Sequence, residues 1–158
     1  MKLSTKVAEL TQIIEPAVTA CDVSLWGIEF VPQGRRSLLR IYIEALPEDR
    51  AEGKQVTIED CAAVTHQVGG VLDLHDPIAG EYLLEVSSPG LDRAFFSAEQ
   101  LHDYVGQTIS LRLIHAIGQG SDKRRKVTGE LVNIDERQLT VKTENDQVND
   151  QPLAIELD

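Results

Sequence analysis

Tyr82-Leu-Leu-Glu-Val-Ser-Ser-Pro-Gly-Leu-Asp-Arg93 divides this chain into two parts of different character. Leu83, Leu84 and Val86 suit a strand with at least one buried face. Ser87-Ser88-Pro89-Gly90 then ends the ladder, because proline has no backbone donor and glycine tolerates positive φ. Two hydroxyls, Leu91 and the Asp92-Arg93 pair follow on a short stiff turn, the kind of place where binding residues concentrate. The plainer reading is a hinge in which Leu91 plugs a small interface and Asp92-Arg93 is a solvated ion pair.

Upstream, Leu3, Val7, Leu10, Ile14 and Val18 recur at helical spacing behind Ser4 or Thr5 as a cap. Pro16 lies inside that pattern and predicts a kink or an early stop, since it removes the bond back to Gln12. Residues 23–31 and 37–45 read as two strands of a hairpin turned at Gln33-Gly34. Residues 47–55 are charged and lack an apolar period, which predicts an exposed loop. Thr57-Ile-Glu-Asp60 opens a helix as a hydroxyl-x-x-acid cap, and Cys61, Val64, Val68, Val71 and Leu72 continue it to His75-Asp76-Pro77. The order helix, hairpin, helix, strand is that of an α+β sandwich with its helices on one face of a small sheet.

Downstream, Ser97-Ala-Glu-Gln100 starts a short helix, and four strands follow around Ile109–Leu113, Val127–Ile134, Leu139–Val141 and Leu153–Leu157. Asp135 to Gln138 is a tight turn. Short strands with polar turns predict a small curled sheet or barrel. The expected domains are therefore residues 1–91, α+β, and residues 92–158, a small β-barrel.

The formal net charge is −11, from 15 Lys and Arg against 26 Asp and Glu. Such a field repels phosphate at long range, so any RNA contact must be local. Residues 1–92 hold 7 basic and 15 acidic groups, and residues 93–158 hold 8 and 11. The basic cluster Lys123-Arg124-Arg125-Lys126 falls on the predicted loop between the first two strands of the second part. Cys21 and Cys61 stand alone, without metal-like spacing, and read as reduced core thiols. No apolar run approaches the ~20 residues of a membrane span and no charged leader precedes one, so a cytoplasmic protein is expected.

The run Leu84 to Arg93 resembles the signature of the RimP family of bacterial ribosome maturation factors. The similarity extends through Trp26-Gly-Ile-Glu-Phe30, Leu39-Arg-Ile-Tyr-Ile43, Ile58-Glu-Asp-Cys61, His66-Gln-Val68 and Asp76-Pro77, and later through Arg124-Arg-Lys126 with Gly129. It covers nearly the whole chain. The resemblance implies an Sm-like or SH3-like barrel for the second part. Such proteins usually carry one further short strand after the segment matching Leu153–Leu157, so the barrel here has either an open edge or a missing last strand.

The resemblance further implies a non-catalytic assembly factor that binds the immature small ribosomal subunit, through ribosomal protein and potentially rRNA, as a monomer and without cofactor. Candidate partner-binding residues are Ser87, Ser88, Pro89, Gly90, Asp92 and Arg93 at the turn, and Lys123, Arg124, Arg125 and Lys126 on the basic run. For the basic run the plainer reading is a solvated hairpin tip that keeps an edge from pairing. Arg35, Arg36 and Arg40 read as ordinary hairpin charges, and Trp26, Tyr42 and Tyr82 as packing aromatics. Arg93 begins a connection, so Arg93→Ala is expected to weaken subunit binding with the fold intact.

Two other classes compete with this one. A free-standing Sm-like RNA-binding module would bind RNA without ribosomal protein, which the net charge disfavours. A hydrolase would need Ser87 or Ser88 beside a base such as His66 or His75, but no G-x-S-x-G elbow surrounds either serine.

Overall fold

The computed structural model describes residues 4–90, 93–117, 124–135, 138–142 and 153–156; for 113–117, 124–125 and 153–156 this is the backbone course. The chain divides into an N-terminal unit reaching to Phe96 and a C-terminal unit from Ser97 onward.

In the N-terminal unit, helix α1 spans Thr5–Thr19, with Ser4 Oγ accepting from the Val7 amide as its cap. It does not stop at Pro16 but continues to Thr19; Leu10, Ile14, Ala17 and Val18 are buried on one stripe. Strands β1 (Val23–Gln33) and β2 (Arg36–Ala45) form the antiparallel hairpin, with Gly34 at φ +58° in its turn. Residues 47–51 are a short helix, α2 (Pro47–Ala51), where a loop was expected. Proline at the first turn and Glu48 and Asp49 beside it suit a helix N-terminus, and five residues are too few to show an apolar period.

Helix α3 (Ile58–His75) begins with a complete capping box: Thr57 Oγ1 accepts from the Asp60 amide at 3.1 Å, and Asp60 Oδ2 accepts from the Thr57 amide at 2.9 Å. Asp76 closes the helix in the left-handed region at φ +45°. The chain then enters β3 (Glu81–Ser87), which pairs parallel to β2 and gives the order β1-β2-β3. A helix between two strands makes that parallel return possible. Leu39, Ile41 and Ile43 of β2 are buried against α1 and α3, whose Leu10, Ile14, Val64 and Val68 are equally inaccessible. On β3 it is Tyr82, Leu84 and Val86 that pack on this core, while Leu83 points away and is half exposed.

The C-terminal unit opens with a short 3₁₀ helix, Ala98–Tyr104, whose Leu101 is buried. Strands β4 (Thr108–Ile117), β5 (Arg124–Ile134), β6 (Gln138–Lys142) and β7 (Leu153–Glu156) form an antiparallel meander in that order. Asp135 turns β5 into β6: its carboxylate accepts from the Gln138 amide at 2.7 Å. Ile109, Val127, Leu131, Ile134, Leu139 and Val141 form the core. A side chain at Gly129 would collide with the Lys142 carbonyl, so only glycine lets β5 and β6 approach so closely there. Among the described residues β7 does not pair with β4, and the sheet is open. Irregularities after Arg112 and after Leu131 interrupt the ladders, as bulges that bend strands do.

The basic run does not sit wholly on a loop. Lys123 lies outside the described residues, and Arg124, Arg125 and Lys126 are the first residues of β5.

Candidate functional site

The helices cover one face of the N-terminal sheet, and the candidate site is built on the other. Alternation along the strands puts Arg36, Leu38, Arg40, Tyr42 and Glu44 of β2 on that outer face, with Glu81, Leu83, Glu85 and Ser87 of β3 beside them. Arg40 donates to Glu85 at 2.9 Å and lies 3.9 Å from Glu29, so its guanidinium is held above its ordinary pKa first by the Glu85 hydrogen bond. Arg36 lies 3.6 Å from Glu81. These pairs are exposed and contribute little to stability.

At the far end of the face the register of β1 against β2 slips between Leu25 and Gly27, and Trp26 is the extra residue. A bulge re-aims a side chain, and here the indole is buried outside the helix-side core. Residues 93–95 are laid against it. Gly90 has φ +76°, a conformation that any other residue would occupy under strain, and its carbonyl accepts from Arg93 Nε at 3.1 Å.

Arg93 then reaches Glu44: Nη1 to Oε2 is 2.8 Å, with 15% and 12% of the two side chains exposed. Its guanidinium also lies 4.7 Å from the centre of the Trp26 ring, within cation–π range. Trp26 Nε1 donates to the Ala94 carbonyl at 2.7 Å, and Phe95 tilts against the indole at 5.9 Å. Phe96 packs on Tyr42 with the same centroid separation, its ring seated where a side chain at position 27 would be. Burial, then Glu29, raise the Tyr42 phenol above its ordinary pKa, so it remains a neutral packing group.

The structure thus brings together only part of the expected set. Ser87, Ser88 and Gly90 are exposed and Pro89 is half buried, as a presented turn requires. Arg93 is engaged inward and anchors the turn. Asp92 lies outside the described residues, as do Leu91 and Lys123. Sequence reasoning passed over Glu44, Gly27, Phe95 and Phe96. The signal was available in the paired aromatics directly after the arginine and in a carboxylate set within an otherwise apolar strand end.

Ser87 and Ser88 have neither a histidine nor a carboxylate partner in the described hydrogen bonds, and no group of three metal-ligating side chains occurs among the described residues. No helix among the described residues is long and apolar enough to cross a membrane.

Residues 13–92 match the family model of the RimP N-terminal domain. The match takes in the C-terminal part of α1, the hairpin, α3, β3 and the exposed turn, and covers just over half of the 158 residues. The chain belongs to the RimP family, a family of ribosome maturation factors.

Proposed function

We propose that this protein is a non-catalytic assembly factor of the small ribosomal subunit that binds the immature particle transiently and leaves when it is complete. The observation that carries this reading is the family match over residues 13–92. The rigid mounting of the exposed Ser87–Gly90 turn by Arg93, Glu44 and Trp26 supports a recognition role for that turn. The site on this reading comprises Ser87, Ser88, Pro89, Gly90 and Asp92, with Arg93 as the anchor, and Lys123, Arg124, Arg125 and Lys126 as a second contact. The acidic first half meets basic ribosomal protein, and the C-terminal sheet, as an Sm-like or SH3-like barrel, meets protein or rRNA. The factor works as a cytoplasmic monomer.

Gradient sedimentation of a lysate, followed by detection of this chain, tests the proposal. Comigration with free or immature small subunits and absence from complete ribosomes is expected. A position among small soluble proteins alone would refute it.

A further inference from the structure

Two cations stand opposite each other on the C-terminal sheet. Arg112 of β4 pairs in register with Lys126 of β5, and two residues along the ladder Ser110 pairs with Thr128. Direct cross-strand partners project from the same face with Cβ atoms about 5 Å apart. All four residues are exposed. Among the described residues no carboxylate lies within ion-pair distance of Arg112 or Lys126. Like charges directly opposite one another destabilise a sheet, so in the free protein this pair is an unfavourable arrangement.

The adjoining hydroxyls add to it. Ser110 Oγ and Thr128 Oγ1 are 3.2 Å apart, and one donates to the other. Each hydroxyl has a single hydrogen, which leaves the pair one O–H to give outward. An oxyanion placed over this patch would receive charge-assisted bonds from a guanidinium and an ammonium and a third bond from a hydroxyl, and would cancel the repulsion between the cations.

We infer that the Arg112–Lys126–Ser110–Thr128 patch is a phosphate site for an RNA backbone, located on the strand face of the C-terminal sheet. The choice of RNA as the polyanion rests on the proposed role in subunit assembly. The site reads no bases: its groups are donors matched to phosphate oxygens, and contacts of that kind position a partner without specifying sequence. It also reconciles a net charge of −11 with nucleic-acid contact, because the attraction is confined to one patch.

The test uses the full chain and a short fluorescent oligouridine, with affinity measured across a salt series. Arg112→Gln with Lys126→Gln is expected to weaken binding about tenfold and to lower the slope of log K against log salt by about 0.7 for each phosphate no longer neutralised. The exchange Arg112→Lys with Lys126→Arg keeps both charges and retains binding, and Arg35→Gln with Arg36→Gln, an equal change of net charge elsewhere, leaves it as in the parent. The melting temperature of the Gln pair stays level or rises, since repulsion is relieved, which separates weaker binding from failed folding. The inference fails if the parent binds no oligouridine, if the Arg35/Arg36 variant loses as much affinity as the Gln pair, or if polyglutamate competes as well as RNA of equal charge. A parent that comigrates with small subunits while the Gln pair binds oligouridine normally would overturn this site alone and leave the assembly role standing.

Discussion

Arg93 and Glu44, separated by 49 positions, form a 2.8 Å ion pair with both side chains almost closed to solvent, and this pair fastens the chain beyond the Pro89-Gly90 turn to the outer face of the sheet. A carboxylate and a guanidinium so placed need each other. Either one alone is a charge held away from water, while neutral groups of similar shape carry no such penalty.

For Arg93→Ala the ion pair adds a cost in stability to the expected weaker subunit binding. Arg93→Ala and Glu44→Ala should each cost about 3 kcal/mol, and the double variant should cost clearly less than the two together. Trp26 is the sole tryptophan and touches Arg93, so urea unfolding followed by its emission reads stability and local packing at once. Additive losses in the cycle would show that the pair is not coupled.

Gly27→Ala would drive a methyl group into the Phe96 ring. Overpacking of this kind costs about 1–3 kcal/mol, and Phe96→Ala in the same chain should remove the clash while adding its own loss of packing. The diagnostic measurement is again the cycle: Gly27→Ala must be markedly less harmful in the Phe96→Ala background.

The two thiols should be slow to react in the folded chain. Burial first, and Asp22 and Asp60 after it, raise the Cys21 thiol above its ordinary value; burial, then Asp60, does the same at Cys61. A raised value means less thiolate near neutral pH. Asp22 sits at φ +61°, where asparagine is equally at ease, so Asp22→Asn should speed labelling of Cys21 by a disulfide reagent without changing Cys61. The sign also fixes a pH window. The folded thiols hold protons more tightly than the unfolded chain does, so their contribution is present below the ordinary thiol value and is lost as pH rises through the folded value.

Pro16→Ala should stabilise the chain. The residue is exposed within α1, its ring removes the bond back to Gln12, and no tight packing would be lost. The gain, after allowing for the greater freedom of the unfolded chain, is about 1–2 kcal/mol. Thermal unfolding at a lower temperature than the parent would show instead that the proline is required where it is.

Much of the architecture was legible locally. The alternation in residues 23–31 and 37–45 predicted the hairpin, the hydroxyl-x-x-acid at Thr57–Asp60 predicted the start of α3, and the serine-proline-glycine turn predicted where β3 would end. Each of these signals lies within a few residues of what it governs. The short helix at residues 47–51 escaped because it buries no residue of its own, so it left no apolar period to detect. The basic run was misplaced for a related reason: Lys and Arg suit an exposed strand face as well as a loop, and only the ladder opposite Arg112 shows that Lys126 is on a strand.

The amino-acid order by itself determined the kinds of element, their succession and membership of the RimP family, because period, caps and turn chemistry act between near neighbours. Folding in three dimensions decided that β3 lies parallel to β2, that Glu44 meets Arg93 beside Trp26, and that Phe96 occupies the space left by Gly27. Those relationships join residues tens of positions apart, and no local preference encodes a distant partner. They follow from where the buried faces must meet once every polar group inside has found its counterpart.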